Sequence, residues 1–429
     1  MKSPLRMIFG LLVMLATLLL SNCSPYGCRV TFGSSTCSAP GSGGGGPFGG
    51  GGGGGSAAAY AYAIDQNGTI DGYSLSNSGF AAISGYTAPA VPVNSGGVGM
   101  VVAQKQFLYA GFGNTGQLFG WVIGSNGVLT AISGSPFSSS FLAGFINGVG
   151  QDNIITNPAG TLLFISDAIA ESVYVFQIGS GGVLAPVTGS PFSLPVGFTP
   201  MNLATDGLGK YLYVVNGNYV AHQGSQVAAF SIGTGSSLGQ LTVVPGSPFA
   251  FKMWQLRGDP TGQYLIGTSG SSAFYSGVSD DTHLYTFTIT QSGASAGAIT
   301  AVTGSPVSTT YSPFSIAAQS NTGGTLVYSL SFNDAGSAFN PLEGDSISSS
   351  GVLSPLTNSP FSGVGNGSWA QFDQSGTILV VYASYLNSST NTTTTQLTPL
   401  AVGSSGALTQ PAGTLTLVTP GFWVVTDPN

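Results

Sequence analysis

The chain has 429 residues, a net charge of −7 and 5% Asp, Glu, Lys and Arg, against about 25% in ordinary soluble domains. Its seven Lys and Arg cannot build the basic stripe that displaces counterions from a phosphate backbone, so nucleic-acid binding is excluded. With 67 Gly and 24 Pro, long helices are excluded and short strands joined by tight turns are favoured.

Residues 1–22 read as a secretory leader. Lys2 and Arg6 supply its charge, and residues 7–20 form an apolar run, shorter than a membrane span of about 20 residues. The run ends in Leu20-Ser21-Asn22-Cys23, which resembles a bacterial lipobox, with Asn22 where a smaller residue is usual. The resemblance implies cleavage before Cys23, acylation of that residue and stable membrane anchoring; plain secretion or an uncleaved anchor is the alternative. The expected location is the cell envelope, as a membrane-anchored lipoprotein in the periplasm or at the cell surface. Cys28 and Cys37 are then left either to pair as a disulfide in an oxidising compartment or to stay as thiols, with no nearby His to complete a zinc site. Residues 23–56 end in near-pure glycine and read as a flexible tether, its last 19 residues reaching roughly 25 Å.

From residue 57 to 429 one phrase recurs. An apolar strand and a small turn lead into Gly134-Ser135-Pro136-Phe137, Gly189-Ser190-Pro191-Phe192 and Gly246-Ser247-Pro248-Phe249, with the variants Gly304-Ser305-Pro306-Val307 and Asn358-Ser359-Pro360-Phe361. Looser copies lie at Ser84-Gly85-Tyr86 and Gln410-Pro411-Ala412. After each comes a strand such as Tyr211-Leu212-Tyr213-Val214-Val215. Continuous apolar runs of this kind suit a sheet buried on both faces, and Gly in the turns allows the positive φ of tight hairpins. A period of roughly 50 residues predicts a propeller, and seven copies fit better than six or eight. The strand Tyr60-Ala61-Tyr62-Ala63-Ile64 has no inner neighbour before it. Phe422-Trp423-Val424-Val425-Thr426 has none after it. The two are predicted to complete one blade and close the ring. The fold class is therefore all-β: a seven-bladed β-propeller of four-stranded antiparallel blades.

The run from Gly182 to Asn216, with Gly182-Val183-Leu184, Gly189-Ser190-Pro191-Phe192 and Lys210-Tyr211-Leu212-Tyr213-Val214-Val215-Asn216, resembles lactonase-type seven-bladed propellers, the 6-phosphogluconolactonase-like family. The resemblance implies the fold and allows a sugar lactone as substrate. Its motifs are turns and strand cores, so no catalytic set carries over.

Ionisable side chains concentrate in the predicted loops between the second and third strands of each blade: Glu171, His222, Asp280, Asp281, Asp334, Glu343 and Asp345, with His283 opening a third strand. Long loops on one rigid face commonly carry function. His222 and His283, with Asp280, Asp281 or Glu343, can supply a general base for lactone hydrolysis. Arg257, alone of its type in a predicted innermost strand, or Lys252 can supply the electrophile. Exposed loop histidines and a structurally held Arg are the plainer reading. Asp280-Asp281 and Glu343-Gly344-Asp345 offer oxygen ligands to Ca2+ but lack an EF-hand spacing, and no cofactor or metal is expected. Trp254, Trp369 and Trp423 are expected in the core, with sugar stacking as the alternative. The favoured function is a binding platform for an envelope protein or glycan. A lactonase-like hydrolase comes second and a structural envelope protein third.

Overall fold

The computed structural model describes residues 59–426, apart from 65–68, 77–78, 90, 92–96, 113–115, 138–152, 219–222, 270–280, 322–323, 332–340, 363–368, 374, 388–391, 411–413 and 418–421. The expectations for the leader, Cys23, Cys28, Cys37, the glycine tether, His222, Asp280 and Asp334 lie outside these residues.

Seven antiparallel sheets are present, each with a four-stranded path. Strands A to D run from the innermost outwards. In blade 1 strand B is Ala59–Ile64, strand C Ile70–Ser76 and strand D Gly79–Ala82; its strand A is Phe422–Thr426 from the other end of the chain. The register pairs Tyr60 with Thr426 and Ile64 with Phe422, so the ring closes as the sequence predicts. Strand A begins at Gly97 in blade 2, Ile154 in blade 3, Pro200 in blade 4, Gln255 in blade 5, Pro313 in blade 6 and Trp369 in blade 7.

The recurring Ser-Pro phrase is a clip between strand D and strand C. The Ser135, Ser190, Ser247, Ser305 and Ser359 hydroxyl oxygens accept the amide hydrogens of Gly120, Val175, Ala229, Thr286 and Gly344 in strand C, at 2.8–3.0 Å. The apolar residue that follows pairs with the same strand: Phe192 with Val173, Val307 with Leu284, and Phe137, Phe249 and Phe361 with Leu118, Val227 and Leu342. In blade 1 Tyr86 replaces the clip. Its hydroxyl donates to the Ile70 carbonyl at 2.8 Å, and its ring lies where a Cβ on Gly72 would be, 2.6 Å away.

A second repeated contact joins neighbouring blades. Strand-B tyrosines donate to carbonyls in the C–D turn of the next blade: Tyr62 to Gly127, Tyr109 to Gly182, Tyr213 to Gly297 and Tyr328 to Gly406, at 2.6–3.1 Å. Burial raises the pKa of all four phenols, as expected for hydroxyls locked in as neutral donors. The acceptor glycines have positive φ, a conformation that L side chains rarely adopt.

Candidate functional site

The strand directions put the A–B and C–D turns at one end of the ring and the D–A and B–C connections at the other. Among the described residues, the carboxylates of the A–B turns are consumed by those turns. Asp206, Asp259 and Asp373 are buried. Each accepts two backbone amide hydrogens through Oδ1: from Lys210 and Tyr211, Gln263 and Tyr264, and Thr377 and Ile378. Asn157 does the same in blade 3. These residues shape hairpins.

At the opposite end side chains meet one another. Asp281 precedes strand C of blade 5, His283–Ile289. One of its carboxylate oxygens lies 2.6 Å from His283 Nδ1, and the other accepts from Tyr285 at 2.7 Å and from Ser269. Burial alone would raise the Asp281 pKa. The hydrogen bonds from Ser269, Tyr285 and His283, with the His283 charge, outweigh it and hold the pKa below its ordinary value. Burial and the Asp281 contact push the Tyr285 hydroxyl up to about 12. With Nδ1 bound to a carboxylate, the imidazole presents Nε2 as its remaining nitrogen, a fixed tautomer suited to proton transfer. The His283 side chain is 39% exposed, so the imidazole is partly open to solvent.

The connection from blade 5 to blade 6 braces this cluster. Ser312 donates to the Asp281 carbonyl at 3.1 Å and the Thr309 amide donates to the Thr282 carbonyl at 2.9 Å. In the same segment the amides of Thr310 and Tyr311 donate to the Glu343 carboxylate, at 2.8 and 3.3 Å.

Glu343 and Asp345 require a correction. The sequence reading put both in a B–C loop, whereas they lie in strand C of blade 6, Glu343–Ile347, and both are buried. Charge alone suggested a loop; the pairing of Ser329 with Glu343 and of Val327 with Asp345 shows that the strand starts earlier. Burial, then the Glu343 charge, push the Asp345 carboxyl up to about 6. Glu171 is also committed to backbone. Its carboxylate accepts from the Gly197 amide at 3.0 Å and its carbonyl from the Leu194 amide at 2.8 Å. Lys252 is exposed on the connection between blades 4 and 5.

Arg257 occupies the innermost strand Gln255–Gly258. Its Nε donates to the Ile316 carbonyl in blade 6 at 3.3 Å. Its guanidinium sits 5.6 Å from the ring centroid of Trp369, the first residue of strand A of blade 7. One side chain thus spans from blade 5 to blade 7 at the axis. Gln255 accepts the Ile316 amide hydrogen at 2.7 Å and Asn202 that of Leu256 at 3.0 Å, linking successive inner strands. The sequence reading missed Gln255 and Asn202, because an amide in a strand carries no pattern signal. Trp369 is buried and Trp254 lies against Phe314, in keeping with a packing role; the Trp423 side chain is outside the described residues.

Arg257 and His283 do not share a surface. Arg257 pairs with Ile266 and Ile266 with Thr286, so Arg257 is level with a residue three positions from His283. An odd offset puts the two side chains on opposite faces of the sheet. Two strand spacings and three residues of rise separate their Cα atoms by roughly 14 Å. The structure brings His283 to Asp281 and sets Arg257 apart, on the side of blade 6.

No family model matches the sequence, and no curated protein matches it. Solved structures do match in fold. A protein from Lactobacillus plantarum aligns at TM-score 0.57 and 14% identity, over 86% of this chain and 99% of its own. A periplasmic gluconolactonase from Pseudomonas aeruginosa aligns at 0.56 and 14%, over 86% and 100%. A putative 6-phosphogluconolactonase from Bacteroides fragilis aligns at 0.55 and 14%, over 86% and 98%. At this identity the likeness is one of architecture, and function has to be argued from the site. The chain is a seven-bladed propeller with the lactonase-like fold.

Proposed function

We propose that the propeller is a ligand-binding platform of the cell envelope, working through the end that carries its D–A and B–C connections. One observation carries the reading: among the described residues the carboxylates of the A–B turns, Asp206, Asp259 and Asp373, are used in closing hairpins, whereas the opposite end holds a mutually bonded Ser269, Asp281, His283 and Tyr285. Partly exposed imidazole, phenol and carboxylate groups suit a hydroxyl-rich ligand, such as a glycan or sugar derivative. The leader and Cys23 supply the anchor in this reading. The expected experiment is binding to an oligosaccharide panel by the full chain and by His283→Ala. Binding lost in the variant, with an unchanged melting temperature, supports the platform; the same binding in both defeats it. Replacing Cys23 with Ser tests the anchor, since acyl labelling should vanish.

A second reading, hydrolysis of a sugar lactone, is favoured by the Asp281–His283 contact. His283 Nε2 would take a proton from water as it attacks the lactone carbonyl, while Asp281 steadies the resulting imidazolium. The ring oxygen leaves as a hydroxyl and the product is a sugar acid. Two of the structural neighbours are described as lactonases, which is consistent with this chemistry. A lactone assay separates the readings: turnover that falls at least about 100-fold in His283→Ala supports hydrolysis, and absence of turnover in the unaltered protein rejects it.

A further inference from the structure

The interface between blades 5 and 6 breaks the pattern of the four interfaces between blades 1 and 5. The clip bonds align the third strands of blades 2 to 6 residue by residue, with Gly120, Val175, Ala229, Thr286 and Gly344 equivalent. The next residue in each is Trp121, Phe176, Phe230, Phe287 and Asp345. Four buried rings pack towards the preceding blade, and in blade 6 a buried carboxylate stands in the fifth slot. The residue before the clip is Phe119, Tyr174, Ala228 or Tyr285 in the other blades, and Glu343 in blade 6.

The neighbouring polar groups share this face. Val327 and Ser329 pair with Asp345 and Glu343, and Val327 packs with Ile266 of blade 5. By the two-residue period, Ser329, Glu343 and Asp345 therefore face blade 5, and Thr268, two residues from Ile266, faces blade 6. Ser329 is 1% exposed and Thr268 0%, yet among the described residues their hydroxyl oxygens have no hydrogen-bond partner. Leaving such groups unpaired in a dry interior is unfavourable. Among the described residues the apolar cluster here has five buried members, against thirteen between blades 4 and 5. Short oxygen-bearing side chains have replaced the rings that fill this space elsewhere.

We propose that blades 5 and 6 enclose a calcium site, with Asp345, Glu343, Ser329 and Thr268 as its protein oxygen donors. The donor set is all oxygen, which selects a hard cation, and water completes the six to eight ligands that Ca2+ takes. Glu343 keeps lone pairs free beyond those used by the Thr310 and Tyr311 amides. A divalent ion would offset the repulsion between the two buried carboxylates and give the orphaned hydroxyls a partner. The site is separate from the His283 cluster and independent of the proposed function.

The test uses the full chain, freed of divalent ions by a chelator and then returned to millimolar Ca2+. The melting midpoint should rise by about 2 °C or more, and titration calorimetry should show one site. Asp345→Phe, which restores the ring of the other blades, should fold and lose both responses. Asp345→Asn, the isosteric variant, should lose them too. A midpoint indifferent to Ca2+ in the unaltered protein, or a response kept in both variants, overturns the proposal.

Discussion

The Tyr109 hydroxyl of blade 2 donates to the Gly182 carbonyl of blade 3 at 2.6 Å, and both groups are buried. Removing the hydroxyl in Tyr109→Phe leaves that carbonyl unpaired and should lower stability by about 1–3 kcal/mol. Gly182→Ala should cost more. Gly182 has φ +79°, and a Cβ there would come within 2.6 Å of the Ile132 side chain and 2.7 Å of Phe107. Chemical denaturation of the two variants beside the parent gives the order directly.

The Ser-Pro clips predict a loss of stability without a loss of binding. In Ser247→Ala the Ala229 amide, 2.9 Å from the hydroxyl oxygen, loses its acceptor. The expected cost is about 1 kcal/mol. Binding or turnover measured well below the melting transition should be unchanged. A marked loss of either would mean that this serine acts on ligand.

Asp206 predicts a pH effect. Burial raises its carboxyl pKa, although the Tyr211, Lys210 and Leu208 amides and the Lys210 charge work against that rise. A carboxyl with a raised folded pKa binds its proton more tightly when folded. Its contribution to stability is present below the unfolded pKa of about 3.9 and is lost as pH climbs through the folded value. Asn157 makes the same two Oδ1 contacts with an amide, so Asp206→Asn should fold. Stability measured from pH 3 to pH 7 should fall less steeply in the variant than in the parent.

Tyr285 is a positioning residue for the Asp281–His283 pair. Tyr285→Phe removes one of the hydrogen bonds that hold the Asp281 pKa down, so that pKa should rise towards its ordinary value. Carboxylate titration followed by NMR reads this directly. If the hydrolytic reading holds, turnover should drop several-fold with little change in KM, and the acid limb of the pH profile should move to higher pH.

Architecture was legible because the blade is written in turns and clips. Gly246-Ser247-Pro248-Phe249 and Asp206-Gly207 mark where a strand must stop, and positions such as Tyr213 mark where it must be buried. Each of these residues depends mainly on its own blade or the next, so the pattern survives along the chain. The site was less legible because contacts between side chains carry no periodic signature. Asp281 and His283 are two residues apart and read together as a pair, but the pairing of Ser269 with Asp281 depends on a loop spanning 12 positions. The separation of Arg257 from His283 follows from strand parity, which composition does not contain. Glu343 and Asp345 mislead because charge reads as the mark of a loop, whereas their pairing with Ser329 and Val327 puts both inside a strand.

The seam between Ala59–Ile64 and Phe422–Thr426 also sets the order of events at the ribosome. Tyr60 emerges some 360 residues ahead of the segment it must pair with. At 5–20 residues per second the wait is roughly 20–70 s. During that interval one side of the earliest strand offers bare amides and carbonyls to any passing chain, so nascent propellers should need escort until the final segment is released.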